Sequence, residues 1–184
     1  MWGLGLACRP GRAQAEEEQV PPSRQVVIIL RALAYDGNLK SRAGGTIDIG
    51  ILYKKGHARS EQMAGTMAKA FGALVATPVA GLPLVVSRLA YAGGEPLYNA
   101  VVASGIDMLF VCEGLDAEVG SIMEVTRRTK ALSVASQREQ VEKGLSLGVF
   151  QVDAKTTILL NLQSSRQEGV AFAADLLRLA VVIR

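Results

Sequence analysis

Apolar residues fall into two alternating patterns between residues 24 and 135. Short, almost uninterrupted apolar runs predict buried strands, whereas longer segments with apolar residues every three or four positions predict helices with one apolar face. The predicted strands are residues 46–53, 84–91, 106–112 and 131–135, and the predicted helices are residues 24–36, 61–73, 95–104 and 116–128. Strands covered by helices on both faces read as continuous apolar runs, so the alternation predicts a mostly parallel, doubly wound α/β sheet.

The pattern changes in the last third of the chain, where two apolar runs follow each other without a helix between them. Residues 147–152 and 156–162 predict strands, and the connection Asp153-Ala154-Lys155 is so short that these strands must be antiparallel. Residues 164–183 are apolar on almost every side, which predicts one deeply packed final helix with Leu177 fully buried. We therefore expect a single Rossmann-like domain whose parallel sheet carries a C-terminal antiparallel hairpin strand.

The first fifteen residues, MWGLGLACRPGRAQA, have features of a truncated signal peptide. Ala13-Gln14-Ala15 is a small-x-small site of the kind that signal peptidase cleaves. A basic amino-terminal region is missing and the apolar stretch is short, and a start codon assigned too far downstream would explain both; the alternative is a disordered cytoplasmic tail. Residues 16–23, acidic and proline-bearing, are expected to form a flexible lead-in to an α/β domain over residues 24–184.

The charge balance argues against nucleic-acid binding. The chain carries 20 basic and 17 acidic residues, a formal net charge of +3. Removal of residues 1–15 takes away two arginines and no acidic residue, which leaves 18 minus 17, or +1. A nearly neutral domain with 5% aromatic residues lacks both a basic surface and stacking platforms for bases. No apolar run approaches the roughly 18 residues that a membrane-spanning helix needs.

Two cysteines and one histidine are too few for a familiar zinc site, and no metal or cofactor is expected. Cleavage after Ala15 would remove Cys8 and leave Cys112 alone, so no disulfide could form within the exported chain. Cys112 lies in an apolar strand pattern, which favours a buried structural thiol over a reactive one.

Three segments resemble the YfiR-like family of periplasmic proteins. They are LRALAYDGNL at residues 30–39, GIDMLFVCEGL at residues 105–115, and ILLNLQSSRQEGVAFAADLLRLAVVIR at residues 158–184. Apolar strands and leucine-rich helices are common, so the order and spacing of the three segments carry the resemblance. It implies a Rossmann-like domain over about residues 24–184 that follows a signal peptide and forms homodimers.

The resemblance also implies a function and a partner. A member of the family represses an inner-membrane diguanylate cyclase, the enzyme that makes cyclic-di-GMP, from the periplasmic side. The expected role is therefore that of a periplasmic, non-catalytic regulatory protein whose partner is the periplasmic region of a membrane-bound diguanylate cyclase. That member uses disulfides, whereas this chain keeps one cysteine after export, so redox control is not expected.

The connection after the first predicted strand contains the basic sequence YKKGHARS, residues 53–60. Ligands of doubly wound sheets bind at the carboxyl ends of strands, and free amides at a helix start can hold an anion beside cationic side chains. Ser60 is expected to cap the helix that follows. The candidate ligand-binding residues are Lys54, Lys55, His57, Ser60 and, after the third strand, Glu113. The alternative is a solvated basic loop, because the loop lacks the glycines that let a backbone wrap around a phosphate.

The sequence contains no nucleophile elbow, P-loop, dinucleotide-binding or metal-ligand motif. Glu113 and Asp116 could do acid–base chemistry with the single histidine, but Asp116 is also a natural N-cap for its helix. Ser164 or Ser165 is expected to cap the last helix, and Asn161 to anchor the turn before it. We therefore assign no catalytic residue.

Three functions remain open. The first is the regulator that binds a protein partner, and an exposed apolar patch would favour it. The second is a periplasmic component that binds a small anionic molecule and is linked to uptake; a deep pocket of mixed polarity near His57 would favour it. The third is a small enzyme with an unrecognised site, which a cluster of strongly perturbed titratable groups would favour.

Overall fold

A seven-stranded sheet forms the centre of the domain in a computed structural model that describes residues 20–152 and 154–183. The strands are β1 (Ile47–Tyr53), β2 (Leu84–Ala90), β3 (Met108–Val111), β4 (Leu132–Ala135), β5 (Leu147–Val152), β6 (Lys155–Asn161) and β7 (Val181–Ile183). Their spatial order is β2-β1-β3-β4-β5-β6-β7, and β1 to β5 are mutually parallel. β6 is antiparallel to β5, and β7 is parallel to β6. The prediction of a mostly parallel sheet with a C-terminal antiparallel hairpin strand is confirmed.

Eight helices accompany this sheet within the same residues. They are α1 (Pro22–Ala34), α2 (Leu39–Ala43), α3 (Ala58–Gly72), α4 (Gly94–Ser104), α5 (Val119–Thr129), α6 (Arg138–Glu142), α7 (Leu162–Gln167) and α8 (Ala174–Leu179). α1 begins two residues before the predicted start, because Pro22 suits the first helical position, where a missing N–H costs nothing. The short helices α2 and α6 were not predicted, since five residues are too few to show helical periodicity.

Helices cover both faces of the sheet. Alternate side chains of β3 show the division: Met108 and Phe110 pack in the core that includes α1 and α3, whereas Leu109 and Val111 pack in the core that includes α4, α5 and α6. Phe110 also meets Phe71 of α3 edge to face, with ring centroids 6.2 Å apart. This two-sided packing is the reason that the strands read as continuous apolar runs, and it confirms the doubly wound arrangement.

The prediction of one long helix over residues 164–183 is wrong. α7 ends before Gly169, which adopts φ +79°, and the chain then runs beside the α1–α2 connection. There the N–H of Ala171 donates to Asp36 Oδ1 and its carbonyl accepts from the N–H of Gly37, each at 2.9 Å. After α8 the chain forms β7. The apolar pattern would also fit a continuous helix, but these hydrogen bonds to residues distant in sequence stabilise the interrupted arrangement instead.

The prediction that Leu177 is fully buried is also wrong. Leu177 is half-buried, whereas its neighbour Leu176 is 1% exposed and belongs to the main core. Because α8 is short and amphipathic rather than apolar all round, only one side of it faces the core.

β5 extends beyond its parallel neighbour. It pairs with β4 only at Val134↔Leu147 and Ala135↔Gly148, whereas it pairs with β6 along its whole length. Residues 149–152 therefore project with β6 past the carboxyl edge of the sheet.

The predicted signal peptide, residues 1–15, and residues 16–19 of the predicted lead-in lie outside the described residues. Val20, the first of the described residues, is 5% exposed and packs in the core beside α1 and α3. None of the helices over residues 20–152 and 154–183 has the length and apolar character needed to cross a membrane.

Candidate functional site

The strand order reverses at the carboxyl ends of β1 and β3. The chain passes from β1 to β2 on one side and later to β3 on the other, so the connections after β1 and β3 leave in different directions. Doubly wound sheets bind ligands at such a reversal. The predicted candidates lie in these two connections, with Glu113 after β3 and the other four residues after β1.

Internal hydrogen bonds hold the connection from β1 to α3. His57, not Ser60, is the N-cap of α3, and its Nδ1 accepts the N–H of Ser60 at 3.2 Å. Ser60 is fully buried, and its Oγ accepts the N–H of Lys54 at 3.0 Å. The prediction that Ser60 caps the helix is therefore wrong, because α3 begins at Ala58 and Ser60 lies inside its first turn. These bonds do not test whether the loop binds a ligand, which stays a prediction.

The imidazole of His57 also packs on the connection after β3. A Cβ added to Gly114 would lie 3.1 Å from three ring atoms of His57, and Gly114 has φ +83°, so both space and backbone favour glycine there. Lys54 reaches Glu118 in the same connection, with Nζ 3.7 Å from Oε1. This ion pair is solvent-exposed and contributes about 0–1 kcal/mol, and Lys55 is exposed as well.

We expect His57→Ala to lower the free energy of unfolding by about 1 kcal/mol, because the first turn of α3 loses its side-chain acceptor. His57→Asn is the matched control, since asparagine supplies a capping oxygen. Urea titration of both variants measures the difference. Equal losses in the two variants would instead attribute the effect of His57 to its packing on Gly114.

A groove of about 730 Å³ opens at the same edge of the sheet, on the face that α1 and α3 cover. Its lining residues are Val20, Pro22, Gln25, Arg59, Gln62, Met63, Thr66, Met67, Glu113, Ser136, Gln137, Arg138, Glu139, Val149, Phe150 and Gln151. The charged side chains are two arginines and two glutamates, and four of the polar ones are glutamines. The groove is therefore of mixed polarity and balanced in charge.

Of the predicted site residues, Glu113 alone lines this groove, and the four candidates after β1 lie beside it. Glu113 Oε2 accepts from Nε2 of Gln137 at 3.4 Å, which joins the connections after β3 and β4. Sequence reasoning missed the glutamines because isolated amide side chains form no motif. The residues after β4 could have been predicted to lie near Glu113, because they follow a predicted strand and lie at the same edge of the sheet.

Two predicted caps are wrong. Asp116 does not cap α5, which begins at Val119 after the N-cap Glu118 without a side-chain cap bond. In α7 the N-cap is Asn161, whose Oδ1 accepts the N–H of Ser164 at 3.0 Å, so neither predicted serine performs that role. Both helices begin at positions other than those predicted, and a cap acts only at the first turn.

Cys112 is fully buried, which confirms the prediction of a buried thiol. Burial, with a smaller effect from the charge of Glu113, raises the pKa of the Cys112 thiol to about 12. The thiol is therefore protonated at neutral pH and unsuited to nucleophilic chemistry.

A second polar cluster lies inside the domain, away from the groove. Glu168, at the end of α7, is 1% exposed and accepts hydrogen bonds from the hydroxyls of Thr126, Ser133 and Ser146 and from the N–H of Ser133. Burial raises the pKa of Glu168, and the hydrogen bonds oppose that shift. The cluster joins α5, β4 and the start of β5 to α7 and has a structural role. Within the described ranges, no group of three or more His, Cys, Asp and Glu side chains is arranged to hold a metal ion.

Three solved structures of larger bacterial proteins have a similar fold. One is an ABC domain in complex with L-Trp from Streptococcus pneumonia, with TM-score 0.61 and 15% identity over 89% of this chain and 60% of that one. A conserved domain protein from Vibrio cholerae O1 biovar El Tor gives TM-score 0.62 and 13% identity over the same shares. A ligand-free, open substrate-binding protein with adhesive properties from Clostridium difficile gives 0.54 and 14%, over 80% of this chain and 57% of that one. The likeness shows the fold, and this chain spans about 60% of their length.

Comparison at the level of sequence gives the family. No curated protein matches the chain significantly. A family model described as YfiR/HmsC-like (DUF4154) matches residues 49–181, from β1 to β7, and so includes the sheet, the groove edge formed by β5 and the buried Glu168 cluster. The chain therefore belongs to the YfiR/HmsC-like family.

Proposed function

We propose that this protein is a periplasmic, non-catalytic regulator that represses a membrane-bound diguanylate cyclase by binding its periplasmic region. The observation that carries the proposal is membership of the YfiR/HmsC-like family, which supports a periplasmic regulatory role in general. Repression is then a binding equilibrium: the regulator binds the inactive state of its partner more tightly than the active state, and a signal that removes the regulator restores activity.

Exposed apolar side chains at one edge of the sheet support binding to a protein. Leu179 is 67% exposed and Val181 is 56% exposed, and they lie close together in sequence at the end of α8 and in the edge strand β7. Apolar side chains grouped on a surface favour contact with another protein, because burial against a partner removes them from water. The proposal also includes a homodimer, and an exported form from which residues 1–15 have been removed so that Glu16 is the first residue.

Deletion of the gene is expected to raise cellular cyclic-di-GMP, and expression of the wild-type protein is expected to restore the low level. The triple variant Lys54→Ala, Lys55→Ala, His57→Ala should restore it as well, since loop positions rarely carry core packing and these residues belong neither to the β7 edge nor to the lining of the groove. Protein purified from the periplasm should begin at Glu16; a retained Met1 would contradict export. Unchanged cyclic-di-GMP in the deletion strain would contradict the regulatory proposal.

A second candidate is a periplasmic component that binds a small anionic molecule and is linked to uptake. The groove of about 730 Å³ favours it, because a concave site with a few polar groups is typical of ligand binding, and Arg59 offers a cation. Neighbours in fold include a complex with L-Trp and a substrate-binding protein. Calorimetric titration with L-tryptophan and with inorganic phosphate separates the candidates: binding that Arg59→Ala abolishes, together with unchanged cyclic-di-GMP on deletion, would favour this second function.

A further inference from the structure

The groove at the carboxyl edge is bordered by a strand edge. Val149, Phe150 and Gln151 are consecutive residues of β5, and all three line the groove. Side chains of a strand alternate between its two faces, so three consecutive lining residues mean that the groove runs along the backbone of β5 and not over one of its faces.

This part of the β5 edge lacks a neighbouring strand among the described residues. β4 pairs with Leu147 and Gly148 and no further, and residues 149–152 pair with β6 on the other side. The carbonyl of Val149 accepts a hydrogen bond from Nε2 of Gln25 at 3.1 Å, so a side-chain amide takes the place that a strand's N–H would occupy. An edge with open backbone groups is a template for pairing with another chain.

The walls of the groove suit a polypeptide. Gln62 of α3 and Gln137 after β4 line the groove together with the strand, and amide side chains both donate and accept, as peptide groups do. Arg59 and Glu113 also line it, and with Arg138 and Glu139 they leave no excess of either charge. The groove therefore selects for an extended segment without a large net charge.

We propose that the partner protein inserts an extended, nearly uncharged segment into this groove, where it pairs as an additional strand with β5 beyond the end of β4. The inference rests on the proposed function, since it identifies where the cyclase is held. Backbone hydrogen bonds to β5 supply affinity, and side chains that alternate along the segment contact the groove walls, which supplies specificity. The hydrogen bond from Gln25 to the Val149 carbonyl breaks, and this carbonyl then accepts a hydrogen bond from the incoming strand.

The experiment uses the purified full chain and the purified periplasmic region of the membrane-bound diguanylate cyclase that it is proposed to repress. Gln62→Trp places a bulky ring in the groove from an exposed position on α3, so the fold is retained. The matched control is Glu124→Trp on α5, whose side chain is 71% exposed on the opposite face of the sheet. Calorimetry should show that Gln62→Trp weakens binding by about tenfold or more, because overpacking in a fitted site is costly, while the control binds like wild type.

Amide hydrogen exchange gives a second measurement that needs no variant. Strand addition predicts slower exchange at Gln151, by about tenfold or more, when the cyclase region is bound. Equal binding by Gln62→Trp and wild type, or unchanged exchange at Gln151, would overturn strand addition while leaving the proposed function in place. Exchange at Gln151 that is already slow in the free protein would also overturn it, since the edge would then be occupied. Failure of the wild-type protein to bind the cyclase region would overturn the proposed function and this inference together.

Discussion

Glu168→Ala is expected to lower the free energy of unfolding by about 3–5 kcal/mol, because several buried donors lose the acceptor that they share. The carboxylate of Glu168 accepts from Ser133 Oγ at 2.6 Å and from Thr126 Oγ1 at 2.7 Å, and it also accepts from the hydroxyl of Ser146. Alanine would leave these donors without their acceptor in a site closed to water, and each unsatisfied group costs about 1–3 kcal/mol. Urea titration measures the loss.

Two control variants test whether the loss of stability comes from the hydrogen-bond network and not from the removal of a glutamate as such. Glu168→Gln keeps the shape and one acceptor oxygen, and hydroxyl groups can rotate to accept from its amide, so a smaller loss is expected. Glu124→Ala removes a side chain that is 71% exposed and should change stability by less than about 0.5 kcal/mol. A loss below about 1 kcal/mol for Glu168→Ala would mean that the cluster relaxes at little cost.

The raised pKa of Glu168 also predicts a pH dependence. Burial raises that pKa above its ordinary value of 4.5, so the native state binds the proton more tightly than the unfolded state does. The stabilisation from this proton is complete below pH 4.5 and is lost as pH rises through the raised native pKa. Glu168→Gln removes this contribution, and the difference between the stability curves of the two proteins isolates it from Asp107, whose pKa burial also raises.

Leu176→Ala is expected to lower the free energy of unfolding by about 2–5 kcal/mol, through lost transfer energy and the cavity left behind. Leu176 is 1% exposed and packs in the core with α1 and α3. Leu179→Ala, in the same short helix, is the matched control because Leu179 is 67% exposed, and it should cost less than about 0.5 kcal/mol. Leu177→Ala should fall between the two. Similar losses for Leu176 and Leu179 would show that α8 does not dock as described.

The first four strands could be predicted because each is a short apolar run between turn residues, and the hairpin could be predicted because its connection is too short for any other arrangement. The C-terminal region could not. Its apolar pattern fits one buried helix as well as a helix, a connection and a strand, and the choice depends on the bonds between Ala171 and the α1–α2 connection. Those partners are distant in sequence, so no local pattern contains them.

The residues of the candidate site, too, could be predicted only in part. The rule that ligands bind at the carboxyl ends of strands led to Glu113, which lines the groove. The rule cannot say which side of the sheet a groove occupies, so it also selected the loop after β1, where His57 and Ser60 cap and anchor α3. Gln25 and Val149 both line the groove, and the bond between them joins residues 124 positions apart and has no sequence signature.

The long-range bonds of α1 also bear on the timing of synthesis. Asp36, which follows α1, accepts one of its N–H bonds from a residue 135 positions later, Ala171. At about 5–20 residues per second, a ribosome needs roughly 7–27 s to make the intervening chain. During that interval the apolar face of α1 has been made but cannot dock fully, so the growing polypeptide stays open to chaperones. Late closure also suits the export that we propose, because threading through a narrow membrane channel requires an unfolded chain.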